Sequence, residues 1–348
     1  MSLAAQSIKN EARRLGFALA GITTPEPSPH LSAYENWLAL GRNGSMDYLA
    51  GERARACRRD PRLILPECRS ILVLAVRYPD PKDATATEEA GPTGRVAAYA
   101  WGRDYHRILP ERLKTLATFI EEQVGGPLPH RGYTDTGPIM ERELAQRAGL
   151  GWIGKNTCLI NPQLGSYFLL AEMFLGIELE PDAPFTSDRC GTCTRCIEAC
   201  PTGCIQPDRT LDARHCISYL TIENKGEIPP DLRPKLGDWV FGCDVCQMVC
   251  PWNRFAGKGY DQALAPSLGL PSPDLKSELV LTAQEFNRKF RDSPILRARR
   301  RGYLRNVAVT LGNSGDTAAI PVLERVLQDN EPLIREHAAW ALEQICKN

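Results

Sequence analysis

Cys190, Cys193, Cys196 and Cys200, the last followed by Pro201, spell C-x2-C-x2-C-x3-C-P; Cys243, Cys246 and Cys250 before Pro251 spell C-x2-C-x3-C-P. Three thiolates at this spacing on a tight loop wrap three corners of one iron–sulfur cubane. The fourth, followed by proline, reaches the other cluster. On that logic one cluster takes Cys190, Cys193, Cys196 and Cys250. The other takes Cys200, Cys243, Cys246 and the outlying Cys216, which completes the ligands of two four-iron clusters. Zinc sites pair C-x2-C units but do not use this run. Two such clusters carry electrons and require a reducing compartment, where disulfides are rare. Of the 13 cysteines, Cys204 reads as a packed small residue, and Cys57, Cys68, Cys158 and Cys346 as isolated structural thiols.

The rest of the chain must hold those loops in place. Its 348 residues suggest two or three units, enough to bury a core without disulfides. Residues 1–180 read as α/β. Ala4 to Leu15 and Asp104 to Val124 have helical periodicity, Phe17 to Ile22 suits a short strand, and Ser70 to Arg77 is an apolar run fit for a buried strand. Asp80 to Gly94 reads as a loop. Residues 181–277 carry the cysteines and a Gly/Pro-rich connector. In residues 278–348, Arg305 to Leu311 and Arg335 to Ala341 repeat one pattern 30 residues apart, which suits a short HEAT-like helical repeat packed against the body. No apolar run is long enough to span a bilayer, and the charged first residues are unlike a signal peptide. A cytoplasmic monomer is expected.

Gly149 to Gly154 satisfies G-x-G-x-x-G, and Gly149 to Lys155 satisfies G-x4-G-K. Both are read as decoys. The glycines follow a helical segment, Ile139 to Ala148, rather than a strand. Asn156 stands where a P-loop needs Ser or Thr.

Several stretches together resemble the epoxyqueuosine reductase family, cobalamin-dependent iron–sulfur enzymes of queuosine biosynthesis. They are Asp60 to Pro66, Trp101 to His106, Asp135-Thr-Gly137, Gly149 to Asn156, Gly165 to Glu172 and the two cysteine groups. Reductive dehalogenases are distant kin. The resemblance implies an α/β cobalamin-binding domain, a two-cluster ferredoxin-like domain feeding it electrons, and a helical repeat for tRNA. The substrate it implies is epoxyqueuosine at the wobble position of a tRNA anticodon, which would lose its epoxide oxygen to become queuosine.

Expelling that oxygen as water consumes two electrons and needs protons delivered to oxygen. Asp135 matches the family's proton donor, and a corrin beside it would desolvate the carboxyl and raise its pKa. The competing reading makes Asp135 the N-cap of a helix starting near Pro138. The resemblance also implies cobalamin contacts at Arg58, Ala97, Asp135, Leu159, Leu170, Ser218 and Asp244. Structural roles are favoured for His106 and His215.

The zero net charge hides an asymmetry. Arg288, Lys289, Arg291, Arg297, Arg299, Arg300, Arg301 and Arg305 face only one acid, Asp292, over 18 residues. Guanidinium forks suit phosphate, and phosphate neutralisation supplies much of the affinity for RNA. Gln284, Asn287, Arg288, Arg300, Arg301 and, near the active site, Lys225 are the expected tRNA contacts. Two alternatives stand beside this reading: a small-molecule cobalamin/iron–sulfur reductase of the dehalogenase kind, and a ferredoxin-type electron-transfer protein served by an external donor. The basic run argues against the first, and Asp135 with its large α/β domain against the second.

Overall fold

The structure is a computed structural model and describes residues 3–83, 91–254, 256–267 and 269–347. Its centre is a four-stranded sheet of β1 (Leu19–Thr23), β2 (Ser70–Arg77), β3 (His130–Tyr133) and β4 (Phe168–Leu175). The spatial order is β1-β2-β4-β3, and every neighbouring pair is antiparallel. The apolar run in β2 is buried because both faces are covered. Leu72, Leu74 and Val76 meet Ile8 and Ala12 of the Leu3–Arg14 helix and Leu109, Leu113 and Leu116 of the Tyr105–Val124 helix. Ile71, Val73 and Ala75 point the other way, onto Ile139, Leu144 and Ala148 around the Glu141–Arg147 helix. Each aliphatic side chain so buried contributes about 1.5–3 kcal/mol.

The cysteine-bearing segment has little regular structure: two one-turn helices, Arg195–Glu198 and Val245–Met248, and the longer Ile217–Ile222 helix. The strand Trp239–Phe241 pairs in parallel with Arg95–Val96, tying this arm to the sheet domain. The C-terminal helices are Arg299–Ser314, Ile320–Val326 and Pro332–Lys347. The 30-residue repeat places Ala308 and Ala338 at equivalent buried positions. At Gly312 a Cβ would stand 2.8 Å from the Ala341 Cα, so only glycine permits this helix approach.

The three sequence segments do not have separate cores. One apolar cluster runs from Ala5 through Leu72 and Phe241 to Ile345. Arg305, fully buried, joins two segments: its guanidinium donates to the carbonyls of Leu220 (2.6 Å), Asn224 (2.9 Å) and Gly226, all at or beyond the end of the Ile217–Ile222 helix. Asn306 adds bonds to the Thr221 and Val240 carbonyls. Seven residues of the expected Asp80–Gly94 loop, 84–90, lie outside the described residues. Among the described residues no helix is long and apolar enough to cross a membrane.

Candidate active site

Strand β3 delivers Asp135 to the end of the sheet. Thr134 anchors the chain by donating its hydroxyl to the Leu170 carbonyl at 2.7 Å, and Asp135 follows in the left-handed region at φ +54°. Non-glycine residues adopt that conformation rarely, and such strain gathers at functional sites. Two bonds hold it. The Tyr105 hydroxyl donates to Oδ2 of Asp135 at 2.7 Å, and the Asp135 amide donates to Oε1 of Glu141 at 2.6 Å. His106 Nε2 lies 3.9 Å from the same Oδ2, its ring steadied by Asp104 at 2.8 Å.

One reading of Asp135 is corrected here. It does not cap the next helix, which begins at Glu141 with Met140 at the cap position and no side-chain cap bond. Its side chain is 61% exposed. Desolvation falls on its neighbours. Burial, with Asp135 as the next cause, pushes Glu141 up to about 7. Glu172 on β4 is wholly enclosed, and burial followed by the charges of Glu141 and Asp135 drives it far above the carboxylate range. Neither oxygen of Glu172 has a hydrogen-bond partner among the described residues. Burial also raises the Tyr105 phenol, so it remains a donor.

None of the 13 cysteines, all among the described residues, forms a disulfide. Cys190, Cys193, Cys196 and Cys250 share one neighbourhood, walled by Trp152, Phe185 and Trp252. Cys200, Cys216, Cys243 and Cys246 share another. Two thiols read as bystanders sit among the latter. Cys204 Sγ is 3.4 Å from that of Cys200 and also faces Cys216. Cys158 meets Cys246 thiol to thiol. Neither belongs to a C-x2-C pattern, so spacing carried no sign of them. Cys57 and Cys68 are buried as expected, whereas Cys346 is exposed and not a packed thiol.

The glycine decoy serves the same loops. Gly149 (φ +79°) ends the helix, and a Cβ at Gly151 would meet the Ile160 carbonyl at 2.1 Å. Lys155 donates to the carbonyls of Gly191 (2.7 Å) and Cys193 (3.0 Å), bracing the first cysteine loop. That role was invisible in a motif read for phosphate.

Between Asp135 and the second thiol group runs an aromatic shelf. Tyr99 is edge-on to Tyr105 at 6.2 Å and to Tyr78 at 6.5 Å, and Tyr78 is edge-on to Tyr167 at 5.7 Å. Asp244 closes the far end: it accepts the Ala98 amide at 2.7 Å and Gln247 at 3.1 Å, and burial raises it to about 6. Leu159 is buried in the core, while Leu170 and Ser218 are half-buried. Arg58, half-buried, stacks 5.3 Å over Tyr34. The Ala97 methyl is packed within the protein opposite Gly242.

The basic run is less open than its sequence suggests. Arg305 is buried, Arg300 is paired with Asp329 and donates to the Leu281 carbonyl, Arg297 binds Glu223 and Lys289 binds Glu278. Arg300 is therefore clamped into the fold and does not present an open fork to solvent. Lys225 is likewise tied to the carbonyls of Ile222 and Arg297 at 2.7 and 2.9 Å. Gln284, Asn287, Arg288, Arg291 and Arg299 are exposed, and Arg301 is half-buried.

Two gathered groups of thiols on a loop-rich arm, set against an α/β layer that presents a strained aspartate, define an iron–sulfur oxidoreductase. Family models agree: one described as 4Fe-4S double cluster binding domain matches residues 189–253, one described as Epoxyqueuosine reductase QueG, DUF1730 matches 58–136, and one described as PBS lyase HEAT-like repeat matches 304–329. An epoxyqueuosine reductase of Pseudomonas aeruginosa is 42% identical over 344 residues, 98% of this chain and 94% of that one. A crystal structure of an epoxyqueuosine reductase with an epoxyqueuosine-modified tRNA-Tyr stem loop matches with TM-score 0.88 and 34% identity, covering 98% of this chain and 89% of that one. The Bacillus subtilis enzyme with its catalytic aspartate loop swung out of the active site matches with TM-score 0.88 and 33% identity, covering 98% and 90%. The chain belongs to the epoxyqueuosine reductase family.

Proposed function

We propose that this enzyme reduces epoxyqueuosine in a tRNA anticodon loop to queuosine, with Asp135 protonating the departing epoxide oxygen. The observation that carries this reading is the Tyr105–Asp135 hydrogen bond at 2.7 Å, which fixes an exposed carboxyl at the end of the sheet. A positioned acid of this kind contributes about 10²–10⁴ in rate.

Cys190, Cys193, Cys196 and Cys250 would hold one [4Fe-4S] cluster and Cys200, Cys216, Cys243 and Cys246 the other, and the two would supply electrons. An external donor approaches the first near the groove of about 480 Å³ lined by Arg195, Met248, Cys250 and Arg254. Cobalamin would be held between the second thiol group and Asp135. The aromatic shelf and half-buried Leu170 would suit a broad apolar ring system, with half-buried Arg58 and Ser218 as polar groups for its edge and buried Leu159 and Asp244 supporting them from beneath. When bound it supplies a low-valent metal centre able to donate electrons or attack carbon. Ala97, packed beneath the shelf, offers no ligand atom.

The division of labour is then 1–180 for cofactor and catalysis, 181–277 for the clusters and 278–348 for tRNA. Exposed Gln284, Asn287 and Arg288, with Arg301, contact the phosphate backbone. Lys225 and Arg300 shape that surface more than they bind it. The enzyme works as a cytoplasmic monomer. Asp135→Asn is the test: cofactor and iron content should persist while turnover of epoxyqueuosine tRNA is lost, and undiminished turnover would remove Asp135 from the mechanism.

A further inference from the structure

Removing the epoxide oxygen consumes two electrons, and a four-iron cluster takes up one electron at a time. A nicotinamide surrenders a hydride, two electrons together, so it cannot load such a cluster directly. The supplier must be a one-electron carrier, and the surface around the entry point decides which charge that carrier bears.

The entry point follows from the packing. Cys243 of the second thiol group shares an apolar cluster with Tyr99 of the aromatic shelf, which leads to Tyr105 and Asp135. The first thiol group packs with Trp152 and Trp252 instead, and its loop turns outward, with Gly191, Thr192, Thr194 and Arg195 exposed. Beside it the groove of about 480 Å³ is lined by Arg195, Glu198, Met248, Cys250 and Arg254, so one thiol of the first group reaches the groove wall. Met248 is 44% exposed there, and the flexible thioether of methionine adapts to a docking partner.

The charge around this groove is predominantly positive. Arg195 and Arg254 are exposed and have no hydrogen bond or ion pair among the described residues. Arg189 is fixed beside the same thiol loop, its guanidinium 5.4 Å over Phe185 and 5.8 Å over Trp252, while the Trp252 indole donates to the Arg189 carbonyl at 3.3 Å. Lys155 braces the loop from its carbonyls and adds a further cation. Of the acids nearby, Asp188 is paired with Arg209, and Glu198 accepts the Thr194 hydroxyl. Arginine and methionine are the types enriched at protein interfaces, and electron carriers dock through small contacts, below about 1,200 Å² in all.

We propose that this groove docks a small acidic one-electron carrier protein, an inference that rests on the first thiol group holding a cluster fed from outside. Carboxylates around the carrier's prosthetic group meet Arg189, Arg195 and Arg254, and Met248 packs against its apolar edge. One electron passes from the reduced carrier to the cluster, and no bond of the chain forms or breaks. In a flavodoxin the anionic hydroquinone becomes the neutral semiquinone, so no proton accompanies the electron. Two such deliveries supply one turnover, and the protons taken by the departing oxygen come by way of Asp135 and solvent.

The test uses the enzyme with both clusters in place and an acidic flavodoxin reduced to its hydroquinone, with loss of cluster absorbance followed by stopped flow. The second-order rate should fall as salt rises, because screening removes the attraction. Arg254→Glu should lower it on the order of tenfold at low salt and flatten its salt dependence. Met248→Glu should act in the same direction, and either variant alone suffices if the other loses iron. Lys114→Glu makes the same charge change as Arg254→Glu at an exposed site on the Tyr105–Val124 helix and should stay near the wild-type rate. Dithionite, which needs no docking site, should reduce every iron-replete variant to the same extent. A flavodoxin rate indifferent to salt and to both groove variants, in enzyme that dithionite still reduces, would overturn the docking site and leave the cluster reading standing. So would an equal loss in Lys114→Glu, which traces to net charge, or reduction by NADPH alone at the flavodoxin rate. A wild-type enzyme whose first cluster neither flavodoxin nor dithionite reduces would bring down the reading on which the site rests.

Discussion

The phenol of Tyr105 donates to the carboxylate of Asp135 at 2.7 Å, from a helix on one side of the sheet to the loop after an edge strand. The bond fixes which way an otherwise exposed carboxyl points. Because burial keeps the phenol protonated, it stays a donor across the working pH range. Tyr105→Phe should therefore lower single-turnover rate about tenfold, the loss of roughly one hydrogen bond to a charged group, while tRNA affinity is unchanged. A rate equal to wild type would mean that Thr134 and Glu141 hold the loop unaided.

The cluster assignment makes a stoichiometric prediction. Two four-iron clusters give about eight irons per chain, and Cys250→Ala should cost the first cluster without the second. Iron should drop by about half, with one electron-paramagnetic signature surviving. Loss of both signatures, or of neither, would refute the division of ligands.

Charge reversal should separate binding from folding on the basic face. Arg288→Glu and Arg301→Glu should weaken tRNA binding and lower the salt slope by about 0.7–0.9 for each phosphate no longer neutralised. Arg300→Ala breaks a half-buried pair with Asp329 and should appear chiefly as a lower melting temperature. Equal effects of all three on affinity would argue against the distinction.

Arg305 should be the most costly of these arginines to remove. Arg305→Met strands three carbonyls and should destabilise the chain by about 3 kcal/mol, taking about 1–3 kcal/mol for a group left unsatisfied and allowing partial rescue by water. Urea denaturation reads this directly, and a midpoint within error of wild type would count against the assignment.

His337 gives stability a pH dependence. It is enclosed and accepts the Ile228 amide at Nε2 (3.2 Å); burial, then the Arg233 charge, lowers its pKa to about 4. The unfolded chain, with an ordinary histidine near 6.5, binds the proton first as pH falls. Stability from this residue is full above about 6.5 and is lost progressively toward about 4. The melting temperature of wild type should fall over that interval more steeply than that of His337→Gln, and parallel curves would contradict the linkage.

Much of this was legible in the sequence because periodicity and spacing are local. The β2 strand was readable from an unbroken apolar run, the Tyr105–Val124 helix from its leucines, and the thiol groups from their intervals. What stayed hidden was long-range. Glu172 sits in an ordinary strand pattern, and only the sheet order brings it behind Asp135. The basic run looked like one continuous patch because the acids that neutralise it, Glu223, Glu278 and Asp329, lie far away in sequence or on other elements. Cys158 and Cys204 looked solitary for the same reason. The N-cap alternative for Asp135 failed on local geometry, since a left-handed residue six positions before the helix cannot cap it.

The single guanidinium of Arg305 closes the carbonyl end of the helix that begins just after Cys216. The C-terminal repeat is thus part of the housing of the second thiol group, not an appendage hung from it. Grafting a repeat from a relative to change which tRNA is served would disturb that housing unless the Ile217–Ile222 helix travelled with it. The repeat and the Cys216 loop are mechanically one unit and can be expected to evolve as one.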